Sequence, residues 1–177
     1  MITRSAFLVS AGMLVASPAI AKAPSTALLL SSSAPDLDDQ YLDFVSGALR
    51  GRGVNIYDPS SADATYHERA SIVAEAIGPV LTAAISRVAW VETHYHTRRA
   101  MFVHLDIHSS SLPYGGFIVH VARATGSFRC FDTGTHAIIA AGTARGEGRG
   151  EDLDLASQQA GNRCLLSLAE MAAPRLH

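Results

Sequence analysis

The residues with most chemistry to offer in this 177-residue chain are histidines and an aspartate spaced two apart. His94-x-His96 puts two imidazoles on one face of a strand, and His104-x-Asp106-x-His108 puts three ligating groups on one face of the next. A hairpin turning at Thr97-Arg98-Arg99 lays those faces side by side, because opposed residues of an antiparallel pair have Cβ atoms about 4.5–5.5 Å apart. Imidazoles joined by a carboxylate suit a transition ion, zinc or copper in particular. The same spacing also follows from the alternation of any strand with a solvated face. A third reading is a pH-sensitive surface, since clustered imidazoles titrate near neutrality.

Other motifs point to structure. Phe131-Asp132-Thr133-Gly134-Thr135 resembles the catalytic triplet of aspartic proteases. That chemistry needs two carboxylates sharing a proton, and the long carboxy-terminal half of that family does not follow here. The expectation is a turn, capped by the Asp132 side chain with Gly134 at positive φ. Cys130 and Cys164 fall on a strand and on the buried stripe of the last helix, so a disulfide between them would staple helix to sheet. Gly146-x-Gly148-x-Gly150 reads as a flexible link. Its neighbours Glu147, Glu151 and Asp152 would repel a phosphate at the helix that follows. Asp36, Asp38 and Asp39 sit in a first helical turn, where carboxylates complement the helix dipole. No Ser-His-Asp or Cys-His nucleophile set stands out, and no catalytic residue is assigned.

The elements that position these residues follow from periodicity. Ala27–Ser33 is a short apolar strand. Leu37, Tyr41, Phe44, Val45 and Ala48 give a helical stripe, ended by Gly51-Arg52-Gly53. Val54–Asp58 is a second strand. A helix from about Glu68 to Arg87 is kinked or split at Gly78-Pro79. Four strands are then expected, over Trp90–His96, Met101–His108, Phe117–Phe131 with a bulge at Gly126, and Ala137–Thr143. Ser109–Gly116 is assigned to a loop. Glu151 opens a last helix, whose stripe Leu153, Ala156, Ala160, Cys164, Leu165, Leu168 and Ala172 is buried. The order β-α-β-α-β-β-β-β-α predicts an α+β two-layer sandwich, with an antiparallel-rich sheet and helices on one face.

The amino terminus and the charge balance set the compartment. Arg4, the apolar run Ala6–Ala16 and Ala19-Ile20-Ala21 form the charged, apolar and cleavage regions of a secretory signal peptide, with cleavage expected after Ala21. Residues 22–177 then form a single domain. Loss of Arg4 takes Lys+Arg from 14 to 13 against 16 Asp+Glu, so the net charge moves from −2 to −3. That balance excludes a nucleic-acid protein, which needs a basic face. No later stretch is long and apolar enough for a transmembrane helix. Lys22 is the only lysine, while arginine, alanine and glycine abound, the usage of a GC-rich bacterial genome. The expected location is the periplasm or the cell exterior, where an even cysteine pair favours a disulfide.

Leu49-Arg50-Gly51-Arg52-Gly53-Val54-Asn55-Ile56 and Asp132-Thr133-Gly134, with Ala140–Gly146 after it, complete a pattern that resembles a broad group of bacterial envelope-assembly domains. That group includes the periplasmic domain of the curli-secretion channel and the amino-terminal domain of the Tol-system propeller protein. The resemblance implies a two-layer α+β fold used for contacts with other envelope proteins, with no enzymatic residues to carry over. The chain lacks the lipidated cysteine of many members. A non-enzymatic envelope protein is therefore the first expectation, and a periplasmic metal-binding protein the second.

Overall fold

Strand β1 (Thr26–Ser32) is buried along its whole length and lies second from the edge of a five-stranded mixed sheet. The computed structural model describes residues 26–57 and 66–176, so the expected signal peptide and its expected Ala21 cleavage site lie outside the described residues. Helix α1 (Asp38–Arg50) leads to the two-residue strand β2 (Ile56–Tyr57). Helices α2 (Tyr66–Ile77) and α3 (Leu81–Tyr95) follow. Strands β3 (Arg99–Tyr114), β4 (Phe117–Asp132) and β5 (Ile138–Gly150) then form a meander, closed by helix α4 (Leu153–Ala172). The strand order is β2-β1-β3-β4-β5, with β1 parallel to both neighbours and the β3-β4-β5 ladders antiparallel.

The α+β class and the antiparallel-rich sheet are as the pattern predicts. Helices α1 and α4 cover one face, where Leu28, Leu30, Met101, Val103 and Leu105 meet Tyr41, Val45, Leu165 and Leu168. Around β1 a second helical layer is added on the opposite face, where Leu29, Phe102 and Phe131 meet Val73, Val88 and Val91. Chirality accounts for it. The chain leaves β1 for β2 in one direction and returns past β1 to β3 in the other. Right-handed crossovers in opposite directions place their helices on opposite faces.

Three expectations are corrected. Trp90–His96 is the last turn and a half of α3, so the meander has three strands. Ala84, Val88, Val91 and Tyr95 are all buried, and that four-three-four spacing outweighs a local alternation. The helix stops at His96, which takes the left-handed conformation with φ 51° and bonds back to the Glu92 carbonyl. Ser109–Gly116 is ladder rather than loop: Gly115 and Gly116, with φ of 55° and 86°, make a two-residue hairpin turn between Tyr114 and Phe117. The irregularity of the β4–β5 ladder lies between Cys130 and Phe131, where Ile139 of β5 is the extra residue, and not at Gly126. The expected split at Gly78-Pro79 is observed, and Arg129 donates to the Ala76 and Gly78 carbonyls at the end of α2.

Gly146, Gly148 and Gly150 are also not a flexible link. They lie within β5, on the face that α4 crosses. A Cβ at Gly146 or Gly148 would fall inside van der Waals contact of the Ala160 or Ala156 carbonyl. Their absence of side chains brings helix backbone onto sheet backbone. Gly146→Ala should therefore cost about 3 kcal/mol in equilibrium denaturation. Gly47→Ala, on the exposed face of α1 with nothing within 4 Å, should instead gain roughly 0.5–1 kcal/mol. Equal effects from the two changes would remove this account of the packing.

Candidate interaction surface

The histidine-bearing face of β3 begins where α2 and α3 end. His104, Asp106 and His108 do share that face, each opposite a polar residue of β4: Ser127, Thr125 and Arg123. Thr143, Arg145 and Glu147 continue the rows onto β5. His104 is half-buried, 3.1 Å from the Ser31 hydroxyl through Nδ1. His108 Nε2 lies 3.2 Å from Asp106, and Arg123 lies 3.4 Å from Glu147. The surface thus carries one ion pair, Arg123 with Glu147, beside a histidine–carboxylate contact, His108 with Asp106.

His94 and His96 are not part of it. His94 is on α3, where its Nδ1 donates to the Trp90 carbonyl at 2.8 Å and its ring stacks on Trp90 at 4.2 Å. His96 caps that helix and lines a separate hollow of about 540 Å³ with Glu92, Thr97, Asp132 and Thr133. The five expected ligands are therefore divided between two places. Among the described residues, no three His, Cys, Asp or Glu side chains gather as a metal would need. The expected hairpin does not exist because its first strand is a helix.

Asp132 fills the turn role expected of it. Its Oδ1 accepts from the Thr135 backbone N–H and hydroxyl, both at 2.8 Å, and these bonds hold its carboxyl below the usual range. The positive φ falls on His136 at 57° rather than on Gly134.

A second hollow, of about 480 Å³, opens at the distal end of the sheet between His108, Ser110, Leu112, Val121, Arg123 and Arg149. Beyond it, β3 and β4 continue as a two-stranded ribbon. β1 ends opposite Leu105, and β5 ends opposite His120. Ser111 pairs with His120 across this ribbon, hydroxyl to Nδ1, at 2.9 Å. The pattern of the sequence hid this contact, although recognising Gly115-Gly116 as a two-residue turn sets that register. Neither it nor Ser31–His104 has a carboxylate within reach among the described residues, so neither forms a nucleophile triad. The ribbon tip is exposed and apolar: Leu112 is 51%, Tyr114 76%, Phe117 78% and Ile118 67% accessible.

Two buried features matter for stability. Asp38, at the start of α1, is 2% accessible, and burial lifts its carboxyl to about 6 although the Ser32 hydroxyl donates to it. Among the described residues nothing bonds its Oδ2, and Arg69, itself buried, reaches the neighbouring Asp39 at 3.4 Å. The expected disulfide is absent. Cys130 and Cys164 are buried free thiols, pushed by burial to about 12 and about 11. A Cβ on Gly126 would lie 2.7 Å from the Cys164 sulfur, whereas Cys130 is four residues further along β4, roughly 13 Å away. A disulfide needs Cα atoms about 4.4–6.8 Å apart.

No family model matches the chain, and no curated protein matches its sequence. Several solved structures share a broad likeness. The lipoprotein GNA1162 of Neisseria meningitidis has 10% identity, with 73% of this chain and 86% of that chain covered and a TM-score of 0.45. The PelC dodecamer of Paraburkholderia phytofirmans has 15% identity, 89% and 92% coverage and a TM-score of 0.41. The hypothetical protein CT253 of Chlamydia trachomatis has 12% identity, 87% and 91% coverage and a TM-score of 0.47. At such identities and scores, no property of those proteins transfers to this chain. Its own fold and surface define a class: an α+β domain with a sheet edge open at the start of β5 and a protruding ribbon.

The thiols should ignore a soluble disulfide reagent in native buffer and release two equivalents in denaturant, and reductant should leave Tm unchanged. Fewer than two equivalents would mean that the bond forms. Between about pH 4 and pH 6 folded Asp38 keeps a proton that the unfolded chain releases. Its contribution to stability therefore falls as pH rises through that window, by an amount of the order of 3 kcal/mol. Asp38→Asn should flatten that part of the pH–stability curve, and an unchanged slope would assign it to other groups.

Proposed function

We propose that this chain is an exported bacterial envelope protein, non-enzymatic, that makes protein–protein contacts in a periplasmic or outer-membrane-associated assembly. The observation that carries the reading is the open edge of β5. It is the last strand of the sheet, thirteen residues from Ile138 to Gly150, with β4 as its one strand neighbour. Towards its end α4 takes the Glu147 carbonyl through Arg163 at 2.7 Å and the Arg149 N–H through Gln159 at 3.5 Å, so the stretch that α4 leaves open is Ile138 to Thr143. An open edge presents a row of backbone N–H and C=O groups to which a strand of another chain can add. Arg145, Glu147 and Arg149 point away from α4 along it and would select the charge pattern of a partner.

The amino-terminal signal-peptide pattern supports the location. The resemblance to envelope-assembly domains and the absence of a triad among the described residues support a contact role. No helix among the described residues is long and apolar enough to cross a membrane. The metal-binding alternative keeps His104, Asp106 and His108 on one face but loses His94 and His96.

A photo-crosslinking side chain placed at Ala141 or Thr143 on the edge should capture one and the same envelope protein in cells, and that pair should re-form from purified components. The same probe at Asp43 on α1 should not capture it. Absence of a reproducible partner at the edge, or equal capture at Asp43, would reject the reading.

A further inference from the structure

The β3–β4 ribbon has features that an edge-pairing role leaves unexplained. From Ser109 to Val119 the chain carries no charged residue. The ladder pairs Tyr114 with Phe117, Leu112 with Val119, and Pro113 with Ile118. Because strand neighbours point to opposite faces, Leu112, Tyr114, Phe117 and Val119 lie on one side of the ribbon and Pro113 and Ile118 on the other. The tip is apolar all round. Past His120 the ribbon has no further strand beside it and extends three residues to the turn at Phe117, roughly 10 Å.

A protein partner that docks on a sheet meets one face, and would leave the other face of this tip in water. A medium that surrounds the tip removes both faces from water at once. The protruding length matches the depth, about 5–10 Å, at which apolar groups settle at the boundary of headgroups and acyl chains. It is too short to span the bilayer, and the ribbon's unpaired backbone edges bar it from the hydrocarbon core, where such edges are not tolerated. Tyr114 and Phe117 flank the turn, and tyrosine is enriched at that interface. Pro113, which would interrupt a central strand, is suited to the unpaired outer edge of β3.

We infer that the β3–β4 ribbon tip, Leu112 to Val119, inserts into the surface of a lipid bilayer and holds the domain against it. Insertion is driven by the apolar tip. At its base Glu147 and Glu151 offset Arg123 and Arg149, so anionic lipid and low salt are not required. The site is separate from the β5 edge, and its test does not depend on a protein partner.

The test uses the protein purified after export, with vesicles of phosphatidylcholine alone and of phosphatidylcholine mixed with phosphatidylglycerol. It should float with both, at low and high salt alike. The double change Tyr114→Ser and Phe117→Ser should lower binding at least about tenfold while leaving Tm unchanged, since both side chains are exposed. Both proteins carry the same amino terminus, so the difference reports the ribbon. Over the Trp90 emission of the parent, Tyr114→Trp should add a component that vesicles shift to the blue and shield from a soluble quencher. Flotation equal in the double variant, or no flotation with either lipid, overturns the inference. So does a dimer in sedimentation that the double change abolishes without a vesicle effect, which would give the tip to a second copy of the chain.

Discussion

The close approach of α4 to β5 is the contact on which the rest of the sheet depends. An ordinary helix rides on a layer of side chains. Here Ala156, Ala160 and Cys164 meet a face of β4 and β5 lined by glycine, and Gly126, Gly146, Gly148 and Gly150 leave no room for a Cβ. Seated this low, α4 also reaches α1, where the Tyr41 hydroxyl donates to the Ser157 carbonyl at 3.0 Å and the ring fills the space beside Gly161. The helix thereby ties the antiparallel half of the sheet to the parallel half. Arg52 to Glu170 at 3.0 Å and Arg99 to the Leu176 carbonyl at 2.6 Å close the far end.

With one face of the sheet sealed by α1 and α4, the other is divided. Near β1 it is covered by α2 and α3, and further out it is bare. The bare part carries rows of polar side chains, then a hollow, then the apolar ribbon. This gradient follows from length. β3 and β4 each have sixteen residues, whereas β1 has seven, so the meander outruns the helices that its parallel half can supply.

Much of this was legible in the sequence. Alternation marked β3 from Met101 to His108, and helical stripes marked α1 and α4. Other readings failed for definable reasons. Trp90–His96 fits a two-residue period within a short window, and the buried row Ala84, Val88, Val91 and Tyr95 shows itself only when the segment is read onward from α3. The serines at 109–111 and Pro113 have loop composition, yet the ladder needs little from side chains on an open ribbon. Gly146, Gly148 and Gly150 do have strand periodicity, but glycine suggested freedom where the cause was a close neighbour. Cys130 and Cys164 share a core, and a pairing rule from composition cannot see the offset between them along β4. Of the expected ligands, strand spacing placed His104, Asp106 and His108 together. His94 and His96 needed a secondary structure that the chain does not adopt.

The position of β1 has a consequence for the order in which the chain acquires structure. It is buried at every position and is flanked on both sides, by β2 about 30 residues later and by β3 73 residues later. During synthesis this segment emerges before either neighbour. Its Leu28-Leu29-Leu30 run must stay solvated, or be shielded by another protein, until β3 arrives. Loop closure of that length is entropically costly and slow compared with forming the local β3–β4 hairpin. The meander is thus the natural first structure, and β1 docks on it afterwards, with β2 on its far side. The most deeply buried element of the finished protein is also the one exposed longest on the way to it.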